Sequence, residues 1–279
     1  MAAGNQAEGV PAPEVRAERS KFDAGVAHSA RVYDYWLGGK DNFAADRAAA
    51  ESVIAARPTI VRDVRENRAF MRRAVAYLAA EAGMRQFLDI GTGIPTSPNL
   101  HEVAQDIVPE TRVVYADNDP IVLSHARALL TSSPQGATAY IDADLRDPGT
   151  ILKEAARTLD FTRPIAVVLV GILFLISDGD DPYGIVTHLM DAVPAGSYLV
   201  ITHPASDVND EAVAEGARRY NQSVATRQTR RSITEVTRFF EGLDVMEPGI
   251  VQCHRWRPGP GLDVRDYEVS AWAAVARKR

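Results

Sequence analysis

The stretch from residue 86 to residue 118 limits the fold of this chain more than any other. An apolar run, Phe87 to Ile90, stops at Gly91-Thr92-Gly93, where the backbone must turn and where missing β-carbons let a ligand approach the main chain. A second apolar run, Val113 to Tyr115, ends at Asp117-Asn118, where a carboxylate can accept both hydroxyl hydrogens of a ribose. The pattern predicts a nucleotide-type site at the ends of two neighbouring strands.

Further apolar runs alternate with helix-forming sequence and extend this unit. We predict strands over 138–141, 165–169 and 197–202. The alternation predicts an α/β fold with a doubly wound parallel sheet and right-handed crossovers, in which ligands bind at the carboxyl ends of the strands. The last two predicted strands, 243–254 and 267–276, should pair as an antiparallel hairpin at the sheet edge.

The segments before the first strand are of two kinds. Residues 1–21 are rich in Ala, Glu, Gly and Pro, so they are predicted to be a disordered tail. Residues 22–83 are predicted to form a helical arm or lid, whose aromatic residues either anchor it on the core or contact ligand. Its long helix carries an apolar stripe from Met71 to Ala82, and Arg65, Asn67 or Arg68 could reach the ligand pocket.

A polar, helix-prone insert at about 205–232 interrupts the core, which is predicted to span 84–279. It gathers five arginines, at positions 218, 219, 227, 230 and 231. Two interpretations stay open: a solvated helical face, or a site that receives an anionic substrate.

Composition excludes several other classes of function. The 279 residues carry a net charge of −6, which gives no global field for nucleic acid or anionic lipid. A single cysteine, Cys253, allows no intrachain disulfide and no zinc signature, so no metal is predicted and a reducing cytoplasm fits. No signal sequence is recognisable, and the longest apolar run, 165–176, is too short to span a bilayer.

The glycine turn also discriminates between cofactors. A dinucleotide fingerprint requires a third glycine three residues after the second, and this chain has Thr96 there. A second acid cluster, Asp142 and Asp144, follows the third strand, where it would repel phosphate but could accept a hydrogen bond from an adenine amino group. These features favour an adenosine that carries a cation.

The same residues carry a family resemblance. "FLDIGTGIP", "VVYADND", "YIDADLRDP" and "IAVVLVGILFLISD" resemble the first four motifs of the class I S-adenosylmethionine-dependent methyltransferases. More narrowly, "ARVYDYWLGGKDNFAADR", "RENRAFMRRAV" and "GTGIPTSPNLHEVAQ" resemble an actinobacterial S-adenosyl methyltransferase family long catalogued as a domain of unknown function. The similarity runs from residue 27 to the C-terminus. It implies a Rossmann-like, mostly parallel seven-stranded sheet with an antiparallel last strand and helices on both faces.

The resemblance also implies which residues bind S-adenosyl-L-methionine. Asp117 would bind the ribose hydroxyls, Asp144 the adenine edge, and Gly171 would lie near the sulfonium. The full implied set lies at the carboxyl ends of the predicted strands: Asp89, Gly91, Thr92, Gly93, Asp117, Asn118, Asp144, Leu145, Gly171 and Ile172.

The requirement for a catalytic base is weak. Methyl transfer is an in-line displacement from an excellent leaving group, so the protein mainly supplies alignment and desolvation. If a base exists, His203 after the fifth strand is the best placed histidine, with Tyr33 and Tyr220 as orienting groups. Relatives often resemble "LH" after the fourth strand, whereas this chain has Leu173-Phe174, so a histidine base is missing there.

The leading hypothesis is therefore a methyltransferase acting on a small-molecule acceptor, with an anionic acceptor and a dimeric state left open. The alternative is a non-catalytic S-adenosylmethionine-binding sensor or partner subunit. A nicotinamide oxidoreductase is disfavoured by Thr96 and the second acid cluster. Methylation of nucleic acid would require the arginines of the insert to join the pocket mouth.

Overall fold

A mixed sheet with helices on both faces forms the body of the computed structural model. The structure describes residues 23–129, 131–208, 211–259 and 266–279, with side chains undescribed at 127–129. The predicted disordered tail at 1–21 lies outside these residues. None of the described helices combines the length and the apolar character needed to cross a membrane.

Strands and helices alternate along the chain as the sequence predicts. The helices are α1 Ser29–Leu37, α2 Ala44–Ala56, α3 Ile60–Ala80, α4 Leu100–Ile107, α5 Pro120–Leu129, α6 Pro148–Ala155, α7 Pro182–Asp191, α8 Glu211–Ser223 and α9 Ile233–Thr237. The strands are β1 Gln86–Ile90, β2 Arg112–Asp117, β3 Ala137–Asp142, β4 Ala166–Val170, β5 Tyr198–Pro204, β6 Leu243–Val245, β7 Val251–Gln252 and β8 Ala271–Lys278.

The order of the strands fixes where a ligand can bind. Within the described residues the sheet runs β3-β2-β1-β4-β5-β8-β6, with β7 also paired to β8. Strands β1 to β5 are parallel to their neighbours. The chain order reverses between β1 and β4, so the crevice of this sheet opens at their carboxyl ends, where Gly91 and Gly171 follow. The predicted α/β class is confirmed.

The C-terminal hairpin differs from its prediction. Strand β8 does not lie at the edge: it inserts between β5 and β6 and is antiparallel to both. The predicted strand over 243–254 is divided into β6 and β7, so the sheet has eight strands rather than seven. Pro248 has no backbone N–H to donate, and Gly249 adopts a positive φ of 87°, so neither continues a regular ladder.

Helix α3 buries the predicted apolar stripe against one face of the sheet. Met71, Ala74, Val75 and Leu78 are all buried there. Its arginines are more than a solvated surface, since Arg73 donates hydrogen bonds to the carbonyl oxygens of Trp256 and Cys253 at 2.9 and 2.7 Å. The helix is therefore fastened on its polar side as well.

Helices α1, α2 and α8 pack together as a helical cap near the carboxyl ends of the strands. Their shared apolar cluster includes Val32, Trp36, Val53 and Tyr220. The Trp36 and Tyr220 rings lie 6.1 Å apart, and Trp36 Nε1 donates to the carbonyl oxygen of Ala50 at 3.3 Å. The N-terminal segment and the insert, remote in sequence, thus form one structural layer.

Candidate active site

The turn after β1 is held open by a carboxylate from β2. Gly91 and Gly93 have positive φ values of 74° and 66°, a region that glycine occupies without strain. The N–H of Gly93 donates to Asp117 Oδ2 at 3.0 Å, and the N–H of Asp119 donates to Asp117 Oδ1 at 2.9 Å. A β-carbon added at Gly91 would lie 2.4 Å from Ile172 Cγ1, whereas one at Gly93 would meet nothing within 4 Å. The turn therefore leaves space on the ligand side of Gly93.

Two adjoining cavities lie at this turn. The first, the glycine-turn cleft, is lined by Asp89, Gly91, Thr92, Gly93, Asp117, Gly171 and Ile172, and by residues of α1 and α3. The second, the distal pocket, is lined by Asn118, Asp144 and Leu145 and shares Gly91, Asp117 and Ile172 with the cleft. All of the predicted cofactor-binding residues therefore lie on one continuous surface.

Asp89 gives the glycine-turn cleft its electrostatic character. Burial, partly opposed by Arg68 and aided by Asp117, raises the pKa of its carboxyl group to about 7. Burial also raises the pKa of Asp117. Arg68 itself donates to the carbonyl oxygen of Thr96 at 2.8 Å. A bound cation beside these carboxylates would favour their ionised forms.

The distal pocket is closed by a pair of side chains from two strand ends. Asn118 Nδ2 donates to Asp144 Oδ2 at 2.8 Å, which joins the end of β2 to the loop after β3. Arg146 Nη1 also donates to Asp144 Oδ1 at 3.2 Å. The neighbouring Asp142 is exposed and lines neither cavity. These contacts leave Leu145 and Ile172 as apolar surfaces for a flat ring.

A third space, the aromatic cavity, opens on the other side of the glycine-turn cleft. Its aromatic lining comes from the helical cap and the loop after β4: Tyr33, Trp36, Phe174 and Tyr220. It shares five lining residues with the cleft: Ser29, Tyr33, Asn67, Gly171 and Phe174. Polar side chains complete its wall, namely Arg57, Asp63, Thr202, His203 and Ser270 among others. Two ligands could thus lie end to end across the shared residues.

Tyr33 and Asn67 form a hydrogen-bonded pair where the cleft and the aromatic cavity meet. Asn67 Nδ2 donates to the Tyr33 hydroxyl oxygen at 3.0 Å, and that hydroxyl donates to the carbonyl oxygen of Val64 at 3.1 Å. Burial raises the pKa of Tyr33 to about 12, so its hydroxyl keeps its proton at neutral pH. The geometry makes Tyr33 a support for Asn67.

His203 lies on the wall of the aromatic cavity with both ring nitrogens engaged. Arg231 Nη1 donates to His203 Nε2 at 2.8 Å, and His203 Nδ1 donates to the carbonyl oxygen of Pro204 at 3.1 Å. Burial lowers the pKa of His203 to about 4, and the charge of Arg231 acts in the same direction. The ring is neutral at physiological pH and its one lone pair faces Arg231.

The arginines of the insert do not converge on a ligand site. Arg231 is buried and pairs with Asp178 at 2.7 Å. Arg218 and Arg219 both pair with Glu215 on the same helix. Arg230 bonds to the carbonyl oxygen of Ala205 and to Ser270. An acid on the same helix and contacts with distant residues together divide the apparent basic cluster.

Some residues of the site carry no strong sequence signal. Asp63 and Arg57 line the aromatic cavity as a buried ion pair, but in sequence Arg57 only follows a helix and Asp63 is one of several charges in the next helix. His28, the N-cap of α1, pairs with Asp119 through Nδ1 at 2.9 Å and ties α1 to the end of β2. Although burial raises the pKa of Asp119, the bond from His28 lowers it overall. Only distant folding contacts bring these groups to the site.

A doubly wound sheet with a glycine turn and an acid at the next strand end defines a nucleotide-binding α/β protein, and similarity to known proteins narrows that class. The chain belongs to the S-adenosyl methyltransferase family, whose model matches residues 15–279. It is thus an S-adenosyl-L-methionine-dependent methyltransferase.

Two solved structures are similar over nearly the whole chain. A DUF574 family protein from Streptomyces avermitilis is 48% identical with a TM-score of 0.88, and the match covers 92% of this chain and 99% of that one. A candidate methyltransferase from Thermobifida fusca is 40% identical with a TM-score of 0.84, covering 91% and 96%. Both sources are actinobacteria, as the resemblance implies. Among curated proteins, none matches the sequence.

The residues present fit this cofactor. The open space beside Gly93 lets a ligand approach the turn closely. The carboxylates of Asp89 and Asp117 suit a cationic ligand, and the distal pocket offers apolar surfaces beside a carboxylate for a flat adenine ring. Among the described residues, no cluster of three His, Cys, Asp or Glu side chains could hold a metal.

Proposed function

We propose that the protein transfers a methyl group by in-line displacement to a small-molecule acceptor bound in the aromatic cavity. The observation that carries this proposal is the set of residues shared by the aromatic cavity and the glycine-turn cleft, Asn67, Gly171 and Phe174 among them. Shared walls mean that a ligand in one space directly abuts a ligand in the other. The buried free thiol of Cys253 is consistent with a reducing cytoplasm as the site of action.

The proposal assigns roles to the residues of the cleft. S-adenosyl-L-methionine supplies a methyl group on a cationic sulfur, which needs alignment more than acid or base assistance. Asp89 faces the ammonium of the methionine part, and Arg68 its carboxylate. Asp117 accepts from the ribose hydroxyls.

The remaining assignments concern the adenine and the transfer path. Asn118, Asp144 and Leu145 hold the adenine in the distal pocket, while Thr92 supports the turn. Gly171 and Ile172 form the floor beside the sulfur. Helices α1, α2 and α8 act as a lid that excludes water while the methyl group moves. His203 and Tyr33 are assigned structural support rather than proton transfer, because their accessible lone pairs already have partners.

The aromatic cavity favours turnover over the alternative of a non-catalytic sensor. A protein that only sensed the cofactor would need no second cavity beside the sulfur. The cavity leaves about 100 Å³ for the centres of water-sized spheres, and its lining is mainly apolar and aromatic, as is typical of small-molecule sites.

The test fills the aromatic cavity and leaves the cleft intact. Ala217 on α8 lines the cavity, so Ala217→Trp should abolish methylation of a panel of phenols, arylamines and aliphatic amines. Binding of S-adenosylhomocysteine should stay within about threefold of wild type, because Ala217 lies off the cleft. Ala214→Trp, on the exposed side of the same helix, is the matched control. Equal turnover by both variants would show that the acceptor binds elsewhere.

The cofactor part is tested by calorimetric titration with S-adenosylhomocysteine and with NADH as a control. Asp117→Ala should weaken binding at least tenfold, since it removes the proposed ribose acceptor and frees the turn. Asp142→Ala, an exposed carboxylate at the adjacent strand end, should bind normally. Equal affinities for the two variants would contradict the assigned ribose site.

A further inference from the structure

Three residues that line the aromatic cavity each hold a buried side-chain oxygen that has no hydrogen-bond partner in the described part of the chain. They are Asn67 Oδ1, Asp63 Oδ1 and Thr202 Oγ1. Their residues are only 8%, 6% and 1% exposed, and all three line the cavity. An unsatisfied buried polar atom costs about 1–3 kcal/mol, so folded proteins rarely keep several on one wall unless a ligand or water satisfies them.

The orientation of the Asn67 side-chain amide follows from the hydrogen bonds of its neighbour Tyr33. The Tyr33 hydroxyl has its single proton directed to the carbonyl oxygen of Val64, so it can only accept from Asn67. The amide nitrogen must therefore point to Tyr33, and the amide oxygen is turned away from it. This oxygen only accepts hydrogen bonds.

The ionised carboxylate of Asp63, like the amide oxygen of Asn67, only accepts hydrogen bonds. Its Oδ2 is bonded to Arg57, and its Oδ1 has an ion-pair contact with Arg62 Nε at 3.6 Å. Asp63 and Asn67 are four residues apart on α3 and so occupy one face, with their β-carbons about 6 Å apart. The Thr202 hydroxyl, from β5, can accept as well. Two of the three oxygens only accept hydrogen bonds and the third can accept one, so this part of the wall suits a ligand that donates.

The charge and shape of the wall narrow the ligand further. Arg57 and Asp63 pair with each other, so these two formal charges on the wall cancel. The insert arginines 218, 219 and 231 are paired with acids instead. Four aromatic side chains present flat surfaces on which a ring can stack. An anionic group would face these acceptor oxygens, and the charge of Arg57 on the wall is already paired with Asp63.

We infer that the acceptor is a neutral ring compound bearing two adjacent hydroxyl or amino donors, and that Asn67 Oδ1 binds the donor on the atom to be methylated. This inference rests on the proposed function. Asn67 belongs to both cavities, so a donor bound there lies at the boundary with the cleft. The second donor reaches Asp63 or Thr202, and the ring stacks against the aromatic wall.

A matched set of three probes tests the inference on the protein saturated with S-adenosylhomocysteine. Naphthalene-2,3-diol keeps both donors, 2,3-dimethylnaphthalene keeps only the shape, and naphthalene-2,3-dicarboxylate carries negative charge. Affinities are measured by calorimetry or ligand-observed NMR. We expect the diol to bind at least tenfold more tightly than either other probe, because only the diol satisfies the buried oxygens.

Two variants connect the preference to the named oxygens. Thr202→Val should reduce the ratio of diol to dimethyl affinity at least threefold, whereas Thr138→Val, on edge strand β3, should leave it unchanged. Asn67→Leu should weaken diol binding about tenfold; because Asn67 also lines the cleft, the probes are titrated into this variant only after its saturation with S-adenosylhomocysteine is verified. If Asn67→Leu does not fold, the comparison of Thr202→Val with Thr138→Val still tests the inference.

The outcomes separate this inference from the proposed function. Failure of S-adenosylhomocysteine to bind would refute the proposed cofactor site itself. Normal S-adenosylhomocysteine binding, combined with a dicarboxylate or dimethyl probe that binds as tightly as the diol, would refute only the inference. Absence of binding by all three probes would also refute it.

Discussion

The ionisation of Asp89 makes cofactor binding depend on pH in a defined direction. Burial raises the pKa of this carboxyl group from 3.8 to about 7 in the ligand-free protein. The proposed ammonium partner binds the ionised form, so protonation competes with the ligand. The apparent dissociation constant is then multiplied by one plus the ratio of protonated to ionised carboxyl. This factor is about 11 at pH 6 and about 1.1 at pH 8. Affinity should fall about tenfold between pH 8 and pH 6.

The assay is calorimetric titration with S-adenosylhomocysteine at pH 6, 7 and 8 in one buffer system of constant ionic strength. Asp89→Asn should bind more weakly at pH 8 and should lose the pH dependence. Asp142→Asn, an exposed carboxylate at a neighbouring strand end, should keep both affinity and slope. An unchanged slope in Asp89→Asn would refute the assignment, because another group would then be the one that titrates.

The raised pKa of Asp89 also makes the stability of the folded protein depend on pH in a defined direction. A raised native pKa means that the native state holds its proton more tightly than the unfolded state, so stability falls as pH rises from about 4 to about 7. Three pK units correspond to at most about 4 kcal/mol of native-state penalty above that range. Asp89→Asn should therefore raise the melting temperature of the ligand-free protein at pH 8 and barely change it at pH 4. A lower melting temperature at pH 8 would contradict this reasoning.

Two further substitutions test the turn and the supporting residues. In urea denaturation, Gly91→Ala should lose about 2 kcal/mol more of its unfolding free energy than Gly83→Ala. Both glycines have positive φ, but only a β-carbon at Gly91 would clash with Ile172. Equal losses would show that the turn relaxes freely. Tyr33→Phe should raise KM and lower kcat severalfold without moving any inflection of the pH–rate profile between pH 6 and 9. Tyr33 has a pKa of about 12 and His203 one of about 4, so neither titrates in that range. A thousandfold loss of kcat with a lost inflection would instead identify Tyr33 as a base.

Local sequence determines much of the cofactor side of the site. The glycine turn, the acids at strand ends and the alternation of strands and helices are short-range features, and each strand end brings its own residues to one edge of a parallel sheet. All ten predicted cofactor residues accordingly line two adjoining cavities. Their roles remain predictions, but their convergence follows from strand order.

The acceptor side depends on contacts between distant segments. Asp63 and Asn67 lie on α3 and Thr202 on β5, and all three line one cavity whose wall also includes residues of α1 and α8. No periodicity in the sequence indicates such a meeting. The pairing of Arg231 with the distant Asp178 is equally absent from the local sequence, so the insert arginines look like one basic cluster.

The sequence by itself determined the parallel part of the sheet, the turn and the family, because hydrophobic periodicity and glycine stereochemistry act within a few residues. Tertiary structure alone decided that β8 inserts beside β5 and that Arg231 occupies the lone pair of His203. It also decided that three buried oxygens without hydrogen-bond partners belong to residues of one aromatic cavity. These outcomes depend on burial and on pairing between residues far apart in the chain. The free energies of this burial and pairing depend on neighbours that only the folded chain supplies.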